Sequence, residues 1–280
     1  MCGMRAERRP DLAEFLRVRR SKLQPADVGL PSGGRRRTDG LRREEVAMLA
    51  GVSVSWYTWL EQGRPINASR DVLDSLSRAL RLDAVEHEHL IALATTPPRR
   101  DLPPPDAGVP PGIEALLGAL EPAPAYVLGP RWDIRAWNRA QARLAPVLDA
   151  LPPEELNLVW VVFVEPSIHA LLGDWETEAR RVLSQFRADT TPYRDDPELI
   201  ALVDRVAAAS PQFAEWWPRH DVGGFEERIR TFRHPVAGTL VFHHEQLVPL
   251  GEPDLRVWVH LPIDGDDSAE RLRNVRHYVA

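Results

Sequence analysis

One cysteine, Cys2, is all that the sequence carries. A disulfide within the chain and a cysteine-based zinc site within one chain are therefore both excluded, and a reducing compartment is expected. Long apolar runs are also missing. The longest, Leu158–Val164 (LVWVVFV), suits a buried segment and is far too short to span a bilayer. The first ten residues, MCGMRAERRP, contain no apolar core of a signal peptide. These features lead us to expect a soluble, cytoplasmic protein without a membrane partner. Lysine is nearly absent: Lys22 is the single lysine among 35 basic residues. Enzyme signatures are missing as well. No Gly-x-Ser-x-Gly elbow, Walker A loop or dinucleotide fingerprint is present, and Cys2 sits in a terminus ill suited to a nucleophile. His243 and His244 are neighbours on an expected strand and point to opposite faces, so they cannot share a metal ion. His87 and His89 are about 200° apart on an expected helix and fail likewise. The acidic stretch at Asp264 has Val275 where a calcium loop needs its closing glutamate. We expect no enzyme, no metal and no required cofactor.

What is present divides the chain in two. Residues 1–100 carry 18 Lys and Arg against 13 Asp and Glu, whereas residues 101–280 carry 17 against 28. A basic first part joined to an acidic second part points to polyanion binding confined to the first. The boundary is the stretch 95–112, TTPPRRDLPPPDAGVPPG, in which proline removes donors and fixes φ so that neither helix nor central strand persists. We therefore assign 1–94 to a basic first domain, 95–112 to a linker and 113–280 to a second domain.

The first domain reads as five short helices. Leu12, Phe15, Leu16 and Arg19 recur at helical spacing, followed by a Gly/Arg-rich loop over 29–40. A helix with Leu41, Val46 and Leu49 stops at Gly51, Ser53 caps the next over 54–62, and two more span 69–80 and 84–94. The second domain mixes periods. Strands are expected over 126–128 and 133–137, a helix capped by Asn138 runs through Leu148, and long helices span 175–188 and 197–209. Three alternating segments over 225–234, 238–247 and 255–261 then read as an antiparallel sheet. Period alone leaves 158–164 open between strand and helix. The fold class is thus an all-α helix-turn-helix domain followed by an α+β domain.

Small Ala47 at the helix crossing, Gly51 in the turn, and Tyr57 with Leu60 facing inward meet the demands of a helix-turn-helix. The stretch LRREEVAMLAGVSVSWYTWLEQGR resembles the Cro/repressor-type (XRE) motif and, more narrowly, the MmyB-like transcription regulators. YVLGPRWDIRAWNRAQARL, DWETEARRVLSQFR and HPVAGTLVFHHEQLVPLGEPDLRVWVHLP are similar to segments of that family's second domain. The resemblance implies a PAS-like second domain that holds a fatty acid. NLVWVVFVEPSIHALL departs from the family pattern and marks where the pocket, and hence the ligand, can differ. By the same resemblance, Val54, Ser55, Thr58 and Trp59 face the DNA groove and Arg43 contacts phosphate. Arg42, Arg64, and Arg35, Arg36 and Arg37 of the loop are added as phosphate contacts, with Ser53 at the start of the reading helix. On the helical wheel Arg64 falls on the core side and leaves it by snorkelling, and Trp56 plugs the core edge. Trp59 faces either DNA or the second domain. For the ligand, Trp132, Trp137, Phe163, Phe186, Trp216, Phe232, Phe242 and Trp258 are the candidate lining, and Arg187 and His234 the candidate carboxylate partners, with Arg230 and Arg233 beside them. The expected partners are double-stranded DNA, a second copy of the chain and an apolar ligand. The alternative is a DNA-binding protein whose second domain only dimerises or binds a protein.

Overall fold

The computed structural model describes residues 9–31, 40–95, 102–105 and 107–275. The chain forms two compact units, residues 1–99 with 218–223 and residues 100–217 with 224–280. Helices α1 (Pro10–Lys22), α2 (Arg43–Ala50), α3 (Val54–Glu61), α4 (Arg70–Ala79) and α5 (Ala84–Ala94) belong to the first. Their shared interior holds Leu12, Phe15, Leu16, Val46, Ala47, Tyr57, Leu60, Leu73, Leu76 and Leu90, all nearly or fully buried. Apolar residues three and four apart on each helix make this one continuous core. Arg19 lies at its edge and pairs with Glu86 at 2.5 Å, tying α1 to α5. Leu49 does not face inward as its spacing suggested. It is 37% exposed and its neighbour Met48 61%, because α2 begins at Arg43 and turns Val46, Ala47 and Ala50 to the core instead.

The turn between α2 and α3 follows from Gly51. Its φ of 68° is left-handed, its N–H bonds back to α2, and Val52 N–H reaches the Ala47 carbonyl at 3.0 Å. Ser53 then accepts the Trp56 N–H on its hydroxyl at 3.2 Å and starts α3. At the other end Gly63, φ 69°, takes the chain out of the helix.

The second unit holds α6 (Pro111–Ala119), β1 (Ala125–Leu128), β2 (Ile134–Trp137), α7 (Arg139–Leu144), α8 (Leu158–Val164), α9 (Pro166–Leu171), α10 (Trp175–Thr190), α11 (Pro197–Ala209), α12 (Pro211–Trp216), β3 (Arg228–His234), β4 (Gly238–Leu247), β5 (Arg256–Leu261) and α13 (Ser268–Arg273). The five strands make one antiparallel sheet in the order β2-β1-β5-β4-β3. Insertion of β5 between β1 and β4 joins the early hairpin to the late one. Leu117 of α6 covers one face with Ala125, Val127, Val257 and Val259. The opposite face carries Tyr126, Phe232, Leu240, Phe242 and Trp258, against which α8, α9 and α10 pack their apolar sides.

Three local outcomes were not fixed by hydrophobic period. The run 158–164 is helical, because the Asn157 carboxamide accepts the Val159 and Trp160 N–H groups and caps it. The helix begun at Asn138 stops at Leu144 rather than Leu148. Pro146 disfavours helical backbone at Ala145, whose φ and ψ are −133° and 74°, and a 3-10 turn follows. The short helices α9, α12 and α13 are six residues each, too brief to leave a periodic signal.

Candidate functional site

The outward face of α3 is built by its caps and its inward anchors. Tyr57 and Leu60 are fully buried, which fixes the rotation of the helix. Val54 is then 40% and Trp59 43% exposed, with Ser55 exposed and Thr58 and Trp56 at intermediate burial. Ser53 is exposed, but its hydroxyl is engaged as the cap. Arg42 is exposed at the start of α2, its backbone N–H held by Glu45 at 2.7 Å. Arg64 is not on the core side of the helix. Because Gly63 has already broken the helical path, Arg64 is exposed, and its guanidinium lies 5.5 Å from the Trp59 ring centre. This cation–π contact gives the exposed indole a local partner and makes Trp59 and Arg64 one feature. Arg35, Arg36 and Arg37 lie outside the described residues.

The residue that sequence reading missed is Glu61. Its side chain is fully buried and receives a bidentate pair from Arg20, at 2.9 and 2.7 Å, and Arg43 at 3.2 Å. Burial pushes the Glu61 carboxyl up, but Arg20 and Arg43 outweigh it and hold it below the usual carboxylate range. Arg20 also donates to the Leu41 carbonyl at 2.6 Å, so α1, α2 and α3 meet on one charged knot. Glu61 follows Tyr57 by four residues, which was the available signal: an acidic residue at an inward helical position needs a buried cation. Arg43 joins that knot while its side chain stays 44% exposed.

In the second unit a narrow cavity of about 50 Å³ lies between the sheet and α7, α8 and α9. Leu144, Val161, Val162, Ile168 and Leu171 form its apolar wall, and Tyr126, Phe232 and His260 its sheet side. Gln141 is the remaining polar group on its wall. Behind Tyr126 and His260 lies a buried polar cluster. His244 and His260 approach at 3.2 Å through their Nδ1 atoms, so one ring donates to the other. Burial, then the nearby Arg230 and other charged groups, push both imidazoles well below their ordinary value and keep them neutral. Arg230 is buried and pairs with Glu178 at 2.9 Å, and Arg228 reaches the same carboxylate at 2.7 Å.

Of the ten residues proposed from sequence for the ligand, Phe232 lines this cavity and the other nine do not. Trp132 packs edge-on against Phe186 and Trp258 at 5.5 and 5.3 Å, and Phe163 against Trp216 at 6.0 Å. Phe242 lies 6.3 Å from Phe232. These rings fill space against one another, while aliphatic side chains surround the cavity. Trp137 lines a separate open cleft of about 640 Å³ beside α6 and donates to Asp149 at 2.9 Å. Arg187 is not available to a carboxylate there, since it bonds the Trp217 carbonyl and stacks 4.0 Å from the Trp217 ring. His234 is committed as well. Its Nδ1 accepts the Val236 and Ala237 N–H groups, which leaves Nε2–H to donate to the Arg143 carbonyl at 3.0 Å. Of the other two arginines, Arg230 lies behind the cavity wall and Arg233 is exposed.

Two family models match this architecture. A helix-turn-helix domain spans residues 11–90, and the MmyB-like transcription regulator ligand binding domain spans 109–275. The chain belongs to the MmyB-like transcription regulators. No curated protein matches its sequence. As such a regulator it pairs a DNA-binding helix-turn-helix with a ligand-binding domain, and both matched families are regulator domains rather than enzymes. No described helix of the regulator is long and apolar enough to cross a membrane. Among its described residues no cluster of three or more His, Cys, Asp or Glu side chains is arranged to hold a metal ion.

Proposed function

We propose that this regulator binds a fatty acid or similar apolar ligand in the cavity of a PAS-like second domain, and that the ligand changes its affinity for DNA. The observation that carries the ligand is the cavity itself, with apolar walls from three helices and a polar edge on the sheet. Pockets for small molecules usually enclose ~300–1,000 Å³. The cavity therefore widens on binding, by separation of α8 and α9 from the sheet. Coupling to DNA is a population shift, in which the ligand favours one of two arrangements of the protein. The regulator acts as a homodimer, because repressor-type helices read two half-sites of a symmetric operator.

On the DNA side, Val54, Ser55 and Thr58 contact base edges, and Trp59 with Arg64 lies against the backbone of the duplex. Arg42, Arg43 and the loop arginines Arg35, Arg36 and Arg37 neutralise phosphates. Arg43→Ala is expected to weaken binding to every sequence and to lessen the salt slope by about 0.9 for each monomer engaged. Ser55→Ala is expected to change base preference and leave the slope as it is. Titrations on two operators at several salt concentrations test this, and an Arg43→Ala protein with unchanged affinity and slope refutes the assignment.

A second reading is favoured by the narrowness of the cavity and the solid aromatic packing around it. On it, the second domain serves dimerisation or protein binding and takes no small molecule. Native mass spectrometry of the purified protein separates the two, by the presence or absence of a retained lipid mass.

A further inference from the structure

The ligand site of the proposed function contains one polar atom whose needs the fold does not meet. Gln141 is 6% exposed, lines the cavity, and its Oε1 has no hydrogen-bond partner among the described residues. An unpaired buried carbonyl is costly, so an unsatisfied acceptor on a residue that lines a cavity marks a place where a donor belongs. Its own backbone N–H is already satisfied by the Asn138 carboxamide at 3.0 Å, which also positions the start of α7. The side chain is thus carried on a fixed helix turn.

The other polar groups on the wall define what kind of donor fits. Tyr126 is a phenol that burial keeps protonated, and His260 is a neutral imidazole already engaged with His244. Arg230, which donates to the Tyr126 hydroxyl, does not line the cavity and is paired with Glu178 at 2.9 Å. A carboxylate entering here loses its water and meets no free cation, which is unfavourable. A hydroxyl carries no such penalty and supplies the hydrogen that Gln141 lacks.

We infer that the cavity takes its amphipathic ligand in a neutral, hydroxyl-donating form, an alcohol or an un-ionised carboxylic acid, with Gln141 Oε1 accepting the hydroxyl hydrogen. This rests on the reading of the second domain as a lipid-type sensor. Gln141 is then the residue that determines head-group specificity, while α8 and α9 accept the chain.

The test compares three probes of equal chain length on the full-length protein: decanol, decyl methyl ether, and decanoate at alkaline pH. Calorimetric titration is expected to show decanol binding about tenfold more tightly than the ether, the equivalent of about 1.4 kcal/mol. Decanoate anion is expected to bind more weakly than decanol. In Gln141→Leu the preference for decanol over the ether is expected to vanish while ether binding persists. Equal affinity of decanol and ether in the wild-type protein, as when a water satisfies Gln141, overturns the inference without needing any variant. So does a preference for the decanoate anion, which assigns the head group to Arg230 instead. Absence of binding by all three probes overturns the sensor reading itself, a different failure from the loss of discrimination.

Discussion

Replacing Glu61 with alanine is expected to lower the stability of the first unit by about 3–5 kcal/mol and to abolish DNA binding at ordinary temperatures. The carboxylate is fully buried, and its loss strands Arg20, whose side chain is 12% exposed. Arg43 loses its anchor at the same time. The full cost of a buried, unpaired guanidinium appears because only one partner is removed. A double substitution, Arg20→Met with Glu61→Leu, is expected to be much milder, since no charge is left behind. Hydrogen exchange of α1 to α5 in the full chain reads the effect separately from the second unit. The pH dependence has a definite sign. The folded carboxyl sits below its ordinary value of 4.5, so its stabilisation is present above that pH and is lost as pH falls through the depressed folded value.

Glu178→Ala is expected to have an effect of similar size on the second unit. Glu178 accepts from Arg228 at 2.7 Å, Arg230 at 2.9 Å and Arg181 at 3.1 Å, and Arg230 is buried beneath the sheet face. Without the carboxylate, two arginines next to neutral His244 and His260 have no counter-charge, at a cost of about 3–5 kcal/mol. Burial pushes the Glu178 carboxyl up, and Arg230, Arg228 and Arg181 pull it further down. Acid therefore weakens this unit in the same direction as the first, below the ordinary value of 4.5. Loss of protection in β3, β4 and α10 by hydrogen exchange is the readout, and unchanged protection in β3 refutes the role given to Glu178.

Helical and strand period made Tyr57 and Leu60 legible as the inward side of α3, and the alternation in β4 separated His243 from His244. Local chemistry carried further information that period did not. Asn157 was a readable cap for the apolar run that follows it, and Pro146 a readable stop for α7. The cavity of the second unit was not legible, for a physical reason. Large aromatic side chains such as Trp132, Phe186 and Trp258 are selected by size from sequence, but size makes them fill the core against each other. The cavity is left where the branched aliphatics of α8 and α9 meet the sheet, a matter of tertiary packing. Glu61 and Glu178 were hidden similarly, because Arg20 lies 41 residues from Glu61 and Arg228 lies 50 from Glu178. Such pairings follow from helix crossings and strand order, which no local pattern encodes.

Coupling of an apolar ligand to DNA within one chain is tested most directly by a single titration. Operator DNA selected by the protein from a random pool is bound with and without saturating decanol, at fixed salt, and followed by fluorescence anisotropy. The Kd is expected to change by about 5-fold or more, in either direction, because coupling energies between sites are typically ~1–3 kcal/mol. A ligand that demonstrably occupies the second domain and leaves the Kd for DNA unaltered would contradict it.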